Sequence, residues 1–193
     1  MPKIHSVGVF CGSRHGASPA FATAARDLGT GLAQRGMRLV YGGGRVGLMG
    51  VIADAALAAG GEVLGVIPEF LKRWEVAHEG LKHMIVTPGM HVRKHRMFEA
   101  ADAFVTLPGG IGTLDETIEV ISWRQLRLHD KPILICDVEG SAEPLRLALE
   151  ATITQGFADP ATRGLYEFVP GVAATLDRLS ALHQAPAAGA GKL

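Results

Sequence analysis

The feature that most limits what this chain can fold into is a regular exchange between two periodicities. Short runs of Val, Ile and Leu with hardly a charge among them occur at residues 7–11, 39–41, 63–67, 84–86, 104–107 and 133–136. They are too brief for buried helices and lack the polar alternation of strands with one wet face, so they read as strands covered on both sides. Between them, apolar positions recur three and four apart over residues 21–34, 48–59, 91–101, 113–126, 144–155 and 172–182, the spacing of helices with one buried face. Strands separated by helices pair in parallel, and a parallel sheet needs helices over both faces. The expected fold is α/β: a single-domain, Rossmann-like, doubly wound parallel sheet with helices on both faces.

Local signals agree with this division. Ser18 followed by Pro19 is a capping residue ahead of a proline suited to a first helical turn, Gly36 stops that helix, and Gly60 with Gly61 stops the next. Residues 68–82, with Trp74, Glu75, His78 and Gly80, show no periodicity and are placed as a long loop on the ligand-binding edge of the sheet. A chain of 193 residues suits one core. Residues 1–184 are expected to form one nucleotide-binding domain, and the small-residue tail 185–193 to be disordered.

Charge excludes some partners. Nineteen basic residues balance nineteen acidic ones, so no global positive field draws the protein to nucleic acid or anionic lipid. No stretch approaches the roughly 20 apolar residues that span a bilayer, and the opening MPKIHSVGVFCG has no long apolar run behind a basic start. A cytoplasmic protein with neither nucleic-acid nor membrane partners is expected. Cys11 and Cys136 each end an apolar run and read as buried hydrophobes, without disulfide or zinc spacing.

Three glycine-rich turns follow strands: Cys11-Gly12-Ser13-Arg14, then Tyr41-Gly42-Gly43-Gly44 continuing to Gly47-Leu48-Met49-Gly50, then Pro108-Gly109-Gly110-Ile111-Gly112-Thr113. Ligands of an open α/β sheet bind beyond the carboxyl ends of its strands, where helix N-termini offer N–H groups and partial positive charge, so all three turns should face one crevice. Ser13, Gly43 and Gly44 are candidate contacts there, although in the second turn glycine could equally serve conformation alone. The third turn is the stronger anion site. Gly109, Gly110 and Gly112 allow close backbone approach, Ile111 opens the helix, and Thr113 adds a hydroxyl. No Lys-Ser or Lys-Thr pair follows, so this is not an ATP-binding P-loop. The dinucleotide spacing is absent from the first turn, and the second strand closes with Tyr41 rather than an acid. A single phosphate fits best.

Glu116 lies three residues beyond Thr113, one turn into the same helix. A carboxylate there can oppose the helix dipole or serve catalysis, and the adjoining anion loop favours catalysis. Asp115 is about 100° round the helix from it, and Glu119 lies a turn deeper. Arg93 and Lys94 open a basic run that would ordinarily be a solvated face, but it follows the fourth strand on the ligand edge. Neither Glu116 nor Arg93 is expected in the core. His91 and His95 share a helical face, yet Val92 stands where a zinc-binding helix needs Glu, so no metal is expected.

The segment Pro108-Gly109-Gly110-Ile111-Gly112-Thr113-Leu114-Asp115-Glu116 resembles the PGGxGTxxE signature of the Lonely Guy family, the cytokinin riboside 5′-monophosphate phosphoribohydrolases. Val9-Phe10-Cys11-Gly12-Ser13, Tyr41-Gly42-Gly43-Gly44, Gly47-Leu48-Met49-Gly50, Gly65-Val66-Ile67-Pro68, Met90-His91-Val92-Arg93-Lys94 and Ala101-Asp102-Ala103-Phe104 resemble family blocks in family order, over nearly the whole chain. The label lysine decarboxylase, often attached to this family, fits poorly: nothing here points to a Schiff-base lysine with a partner for a pyridine nitrogen.

The resemblance implies hydrolysis of the bond between N9 of an adenine-type base and ribose 5-phosphate, in AMP or N6-modified AMP, without a cofactor. It implies Arg93 and Glu116 as the catalytic pair. Glu75, Lys94, residues 110–116 and Ser122, which replaces an expected threonine, become substrate contacts. It also implies a homodimer, for which the face bearing Ile118, Ile121 and Trp123 is the candidate. Trp74, Met90 and Trp123 are candidate lining for the base. The competing readings are a nucleotide or cofactor carrier on the same sheet and a silent scaffold; Glu116 separates them, because a carrier has no use for a carboxylate at the sugar.

Overall fold

The computed structural model describes residues 4–72 and 77–184. In chain order its elements are β1 (Ser6–Phe10), α1 (Pro19–Gln34), β2 (Arg38–Tyr41), α2 (Gly47–Ala58), β3 (Val63–Pro68), α3 (Glu69–Lys72), β4 (His83–Thr87), α4 (Met90–Ala100), β5 (Ala103–Thr106), α5 (Ile111–Gln125), β6 (Ile133–Asp137), α6 (Glu143–Thr154), a 3-10 helix (Pro160–Leu165), β7 (Glu167–Pro170) and α7 (Gly171–Gln184). Among the described residues the strands form one sheet in the order β4-β3-β2-β1-β5-β6-β7. Every pairing between its strands is parallel.

Strand β7 is absent from the sequence reading. It lies at a sheet edge, where a strand can carry the exposed Glu167 and end in Pro170 without losing a ladder partner on both sides, so it lacks the apolar run that marks β1 or β6. The segment expected to be one loop after β3 also contains the short helix α3. Trp74 and Glu75, like the tail 185–193, lie outside the described residues.

Two apolar layers sandwich the sheet. On one face Val7, Val9, Leu39, Tyr41 and Val105 pack with Leu28 and Leu32 of α1, Ile52 and Ala56 of α2, and Leu179 of α7. On the other, Phe10, Val40, Val66 and Phe104 pack with Met97 of α4, Val120 and Ile121 of α5, and Leu145 and Leu149 of α6. Cys11 and Cys136 are buried and free, and burial pushes both thiols up from their ordinary value.

The strand order runs outward from β1 in one direction and from β5 in the other, so the chain reverses between these neighbours and opens a crevice beyond their carboxyl ends. The three glycine-rich turns meet there. Gly12 N–H donates to Pro108 C=O at 3.1 Å, and Gly12 C=O accepts from Leu48 N–H at 3.0 Å. Gly47, at φ +59°, lies so close to the first turn that a Cβ would fall 2.3 Å from Arg14 N and from the Ser13 carbonyl carbon. A side chain would strain that backbone and collide with the turn beside it. Gly47→Ala should therefore lower unfolding stability by about 2 kcal/mol or more, read as a lower urea midpoint at unchanged slope.

Candidate active site

Helix α5 begins without help from a side chain. Its N-cap is Gly110, extended and with no side-chain cap hydrogen bond, and no acidic residue stands in its first turn. By contrast, Ser18 Oγ caps α1 by accepting from Ala20 N–H at 3.2 Å. The positive end of α5 faces open space, and Ile111 at that end is 87% exposed. Such an end attracts an anion.

A threonine chain fixes this helix against the sheet. Thr117 Oγ1 donates to the Thr113 carbonyl at 2.7 Å. Its only proton is thereby used, so Thr106 Oγ1 of β5, 2.8 Å away, must be the donor to Thr117 Oγ1. Thr117 and Thr113 are buried. The first turn of α5 thus hangs from the end of β5.

A cavity of about 620 Å³ opens beside that turn, lined by residues of the first and third turns together with Phe21, Leu48 and Ser141. Its size falls within the range of small-ligand sites. Ser13, Gly109, Gly110 and Ile111 line it. Arg14 and His15 line it too; neither was singled out from the sequence as a contact, although Arg14 closes the first glycine turn and His15 follows it.

Glu116 faces the opposite layer, toward α4. One of its carboxylate oxygens lies 3.2 Å from Arg93 Nη1, with only 12% of the Glu116 side chain and 7% of the Arg93 side chain exposed. Arg93 is anchored further: its Nε donates to Val66 C=O at 3.0 Å and its Nη2 to Gly42 C=O at 3.4 Å. The guanidinium therefore joins the carboxyl ends of β2 and β3 to α5. The expectation that Arg93 lies outside the core is corrected. A basic residue surrounded by backbone carbonyls and a carboxylate can be buried where an unpaired one could not.

Lys94 turns inward with it. Its Nζ lies 2.6 Å from Asp115 and 3.4 Å from Glu119, carboxylates one turn apart on α5. Burial pulls the ammonium down, but Asp115 and Glu119 outweigh it and hold Lys94 above its ordinary value. His91, His95 and Arg96 stay on the exposed side of α4, and His95 pairs with Glu99 at 3.4 Å. Among the described residues, no group of three or more His, Cys, Asp or Glu is placed to hold a metal ion.

The remaining sequence candidates divide. A water-sized cleft of about 10 Å³ lies among Glu116, Lys94, Glu119, Phe98 and Trp123, so Trp123 shares that cleft with Glu116. Thr113 is buried beneath Gly109, and Gly112 is exposed in the first turn of α5. Ser122 sits about 9 Å along the helix from Glu116 and lines neither space. Gly43 and Gly44 are buried and stitch the second turn to the segment after β3: Gly43 C=O accepts from His78 N–H at 3.0 Å, and Gly44 forms an antiparallel bridge with Ala77. His78 in turn accepts from Gly80 N–H at Nδ1, which puts its proton on Nε2 for donation to Asp54 at 2.9 Å.

Removing Arg93 would leave the Glu116 carboxylate without that partner and two strand-end carbonyls without their donor. Arg93→Ala should therefore lose roughly 3 kcal/mol of stability or more in a denaturant titration, in addition to any loss of activity.

Residues 49–179, more than half of the chain, match the family model described as "Possible lysine decarboxylase". A relative from Rhodococcoides fascians named cytokinin riboside 5′-monophosphate phosphoribohydrolase is 46% identical over 163 residues, covering 84% of this chain and 82% of its own. A relative of the same activity name from Arabidopsis thaliana, LOG5, is 41% identical over 179 residues, covering 93% and 78%. Among solved structures, the molybdenum cofactor binding protein of Rippkaea orientalis superposes with a TM-score of 0.70 at 20% identity, covering 92% of this chain and 96% of that one. The molybdenum cofactor carrier protein of Chlamydomonas reinhardtii superposes with a TM-score of 0.69 at 22% identity, with the same coverage. The structural likenesses speak for the fold, while identities above 40% along most of the sequence speak for descent: the chain belongs to the Lonely Guy family, whose model carries the decarboxylase description.

Proposed function

We propose that this chain hydrolyses the N-glycosidic bond of adenosine 5′-monophosphates, including N6-substituted ones, to release the free base and ribose 5-phosphate. The observation that carries the reading is Glu116, held 3.2 Å from Arg93 one turn along the helix whose open amino end suits a phosphate. Named relatives across most of the chain carry that activity in their names.

The chemistry follows from where charge develops. As the bond between C1′ and N9 lengthens, its electron pair leaves with the base and positive charge builds on the ribose ring. A carboxylate beside the anomeric carbon stabilises that charge and can position the attacking water. Water then supplies hydroxide to C1′ and, after proton transfer, the proton that the base gains. Glu116 is the group for this work. Arg93 keeps the carboxylate in place instead of gripping substrate, because its Nε and Nη2 already serve backbone carbonyls. The open end of α5, with Ser13, Gly109, Gly110 and Ile111 around the adjoining cavity, receives the phosphate.

Decarboxylation through a Schiff base suits the described lysines poorly. Such a lysine must lose its proton readily, whereas Lys94, the lysine beside Glu116, is held charged by two carboxylates. The carrier reading needs the anion loop alone and gives Glu116 no task. A homodimer is part of the proposal, but its surface is corrected: Ile121 is 3% exposed and belongs to the core, and Trp123 packs edge-on against Phe98. Ile111, Leu114 and Ile118 form the exposed apolar stripe of α5 instead. No described helix is long and apolar enough to cross a membrane.

Three outcomes test this reading. Glu116→Gln should cut turnover of AMP at least about 100-fold with KM nearly unchanged, since the lost charge acts chiefly in the transition state. Normal turnover would reduce Glu116 to a structural residue. AMP and isopentenyladenosine monophosphate should yield free base and ribose 5-phosphate, while adenosine and ATP react poorly; equal efficiency on adenosine would remove the phosphate from the argument. Light scattering at micromolar concentration should give twice the chain mass, and Ile118→Asp should bring it down to a monomer.

A further inference from the structure

A nucleoside monophosphate brings close to two negative charges at neutral pH, and a helix end supplies only about half a positive charge. A cation should complete the site. Of the two cations that the motifs provide, Arg93 is bound to Glu116, Val66 and Gly42, and Lys94 to Asp115 and Glu119. Neither of them lines the cavity beside the open end of α5.

Arg14 differs on each count. It lines the same cavity as Gly109, Gly110 and Ile111. Its side chain is exposed and has no ion pair or hydrogen bond among the described residues. Its backbone is nevertheless held firmly, with Gly47 packed directly against Arg14 N and Gly12 bonded to both neighbouring turns. A guanidinium on such a base can swing over the amino end of α5 while losing only side-chain freedom. Its paired N–H groups match two phosphate oxygens.

We infer that Arg14 is the phosphate-binding cation of this site, closing over the 5′-phosphate from the first turn while the backbone of the third turn holds it from below. The inference rests on the nucleotide reading above and adds a residue that reading does not need. It also says where selection for the monophosphate over the free nucleoside arises: at an arginine on the first turn, outside the PGGxGTxxE segment.

The test uses Arg14→Ala and Arg14→Lys with AMP and adenosine as substrates, and titrates ribose 5-phosphate calorimetrically, which needs no turnover. Arg14→Ala should raise KM for AMP at least about 10-fold with kcat changed less than about threefold, and should weaken ribose 5-phosphate binding by a similar factor. The slow reaction of adenosine should hardly respond. Arg14→Lys should recover part of the loss, keeping charge without the fork. If ribose 5-phosphate binds wild type and Arg14→Ala equally well, the inference falls even though hydrolysis stands. If ribose 5-phosphate binding needs Arg14 but AMP yields no free base, hydrolysis falls and the phosphate role of Arg14 stands.

Discussion

Two backbone hydrogen bonds at Gly12 hold together everything this site depends on. Its N–H reaches the Pro108 carbonyl and its carbonyl receives Leu48 N–H, so the ends of β1 and β5 and the start of α2 are joined at one residue. Each of these turns belongs to a different crossover of the sheet; parallel pairing sets β2, β1 and β5 side by side, and the bonds at Gly12 carry that register past the strand ends into the turns. Once they are joined, Gly47 can pack on Ser13 and Arg14, and the open end of α5 acquires a wall. The cavity is the space left between these turns.

The carboxylate is held by a different principle. Glu116 and Arg93 are nearly buried, and a charge pair so placed stabilises a protein only when its remaining hydrogen-bonding groups are satisfied. The carbonyls of Val66 and Gly42 meet that condition for the guanidinium. The neighbouring Lys94 contacts to Asp115 and Glu119 brace α5 against α4 from the more exposed side. Preorganisation of this kind lets a carboxylate act on developing charge without first rearranging its surroundings.

The sheet, its two helical layers and the crevice at the strand reversal were legible because burial on both faces forces short apolar runs, and because glycine and proline punctuate them. Edge strand β7 escaped notice for the converse reason: Glu167 and Pro170 are tolerated where one side of a strand meets solvent. Glu116 was visible from its spacing to Thr113, a purely local relation. The burial of Arg93 was not, since its acceptors are main-chain carbonyls 27 and 51 residues away and carbonyls leave no mark in a sequence. Ile121 was read as surface because helical period shows an apolar face without saying which neighbour covers it.

The anchorage of Arg93 bears on how such a protein could change over time. A descendant that replaced Glu116 with an apolar residue would retain a buried guanidinium lacking its carboxylate, and one that lost Arg93 first would leave the carboxylate and two strand ends in the same position. Either single step costs folding stability before any new use can repay it. The packing of two helices and two strand ends thus hangs on one pair of side chains. Change at this pair would require paired replacements on α4 and α5, or a substitute at position 116 that can still accept a hydrogen bond from arginine.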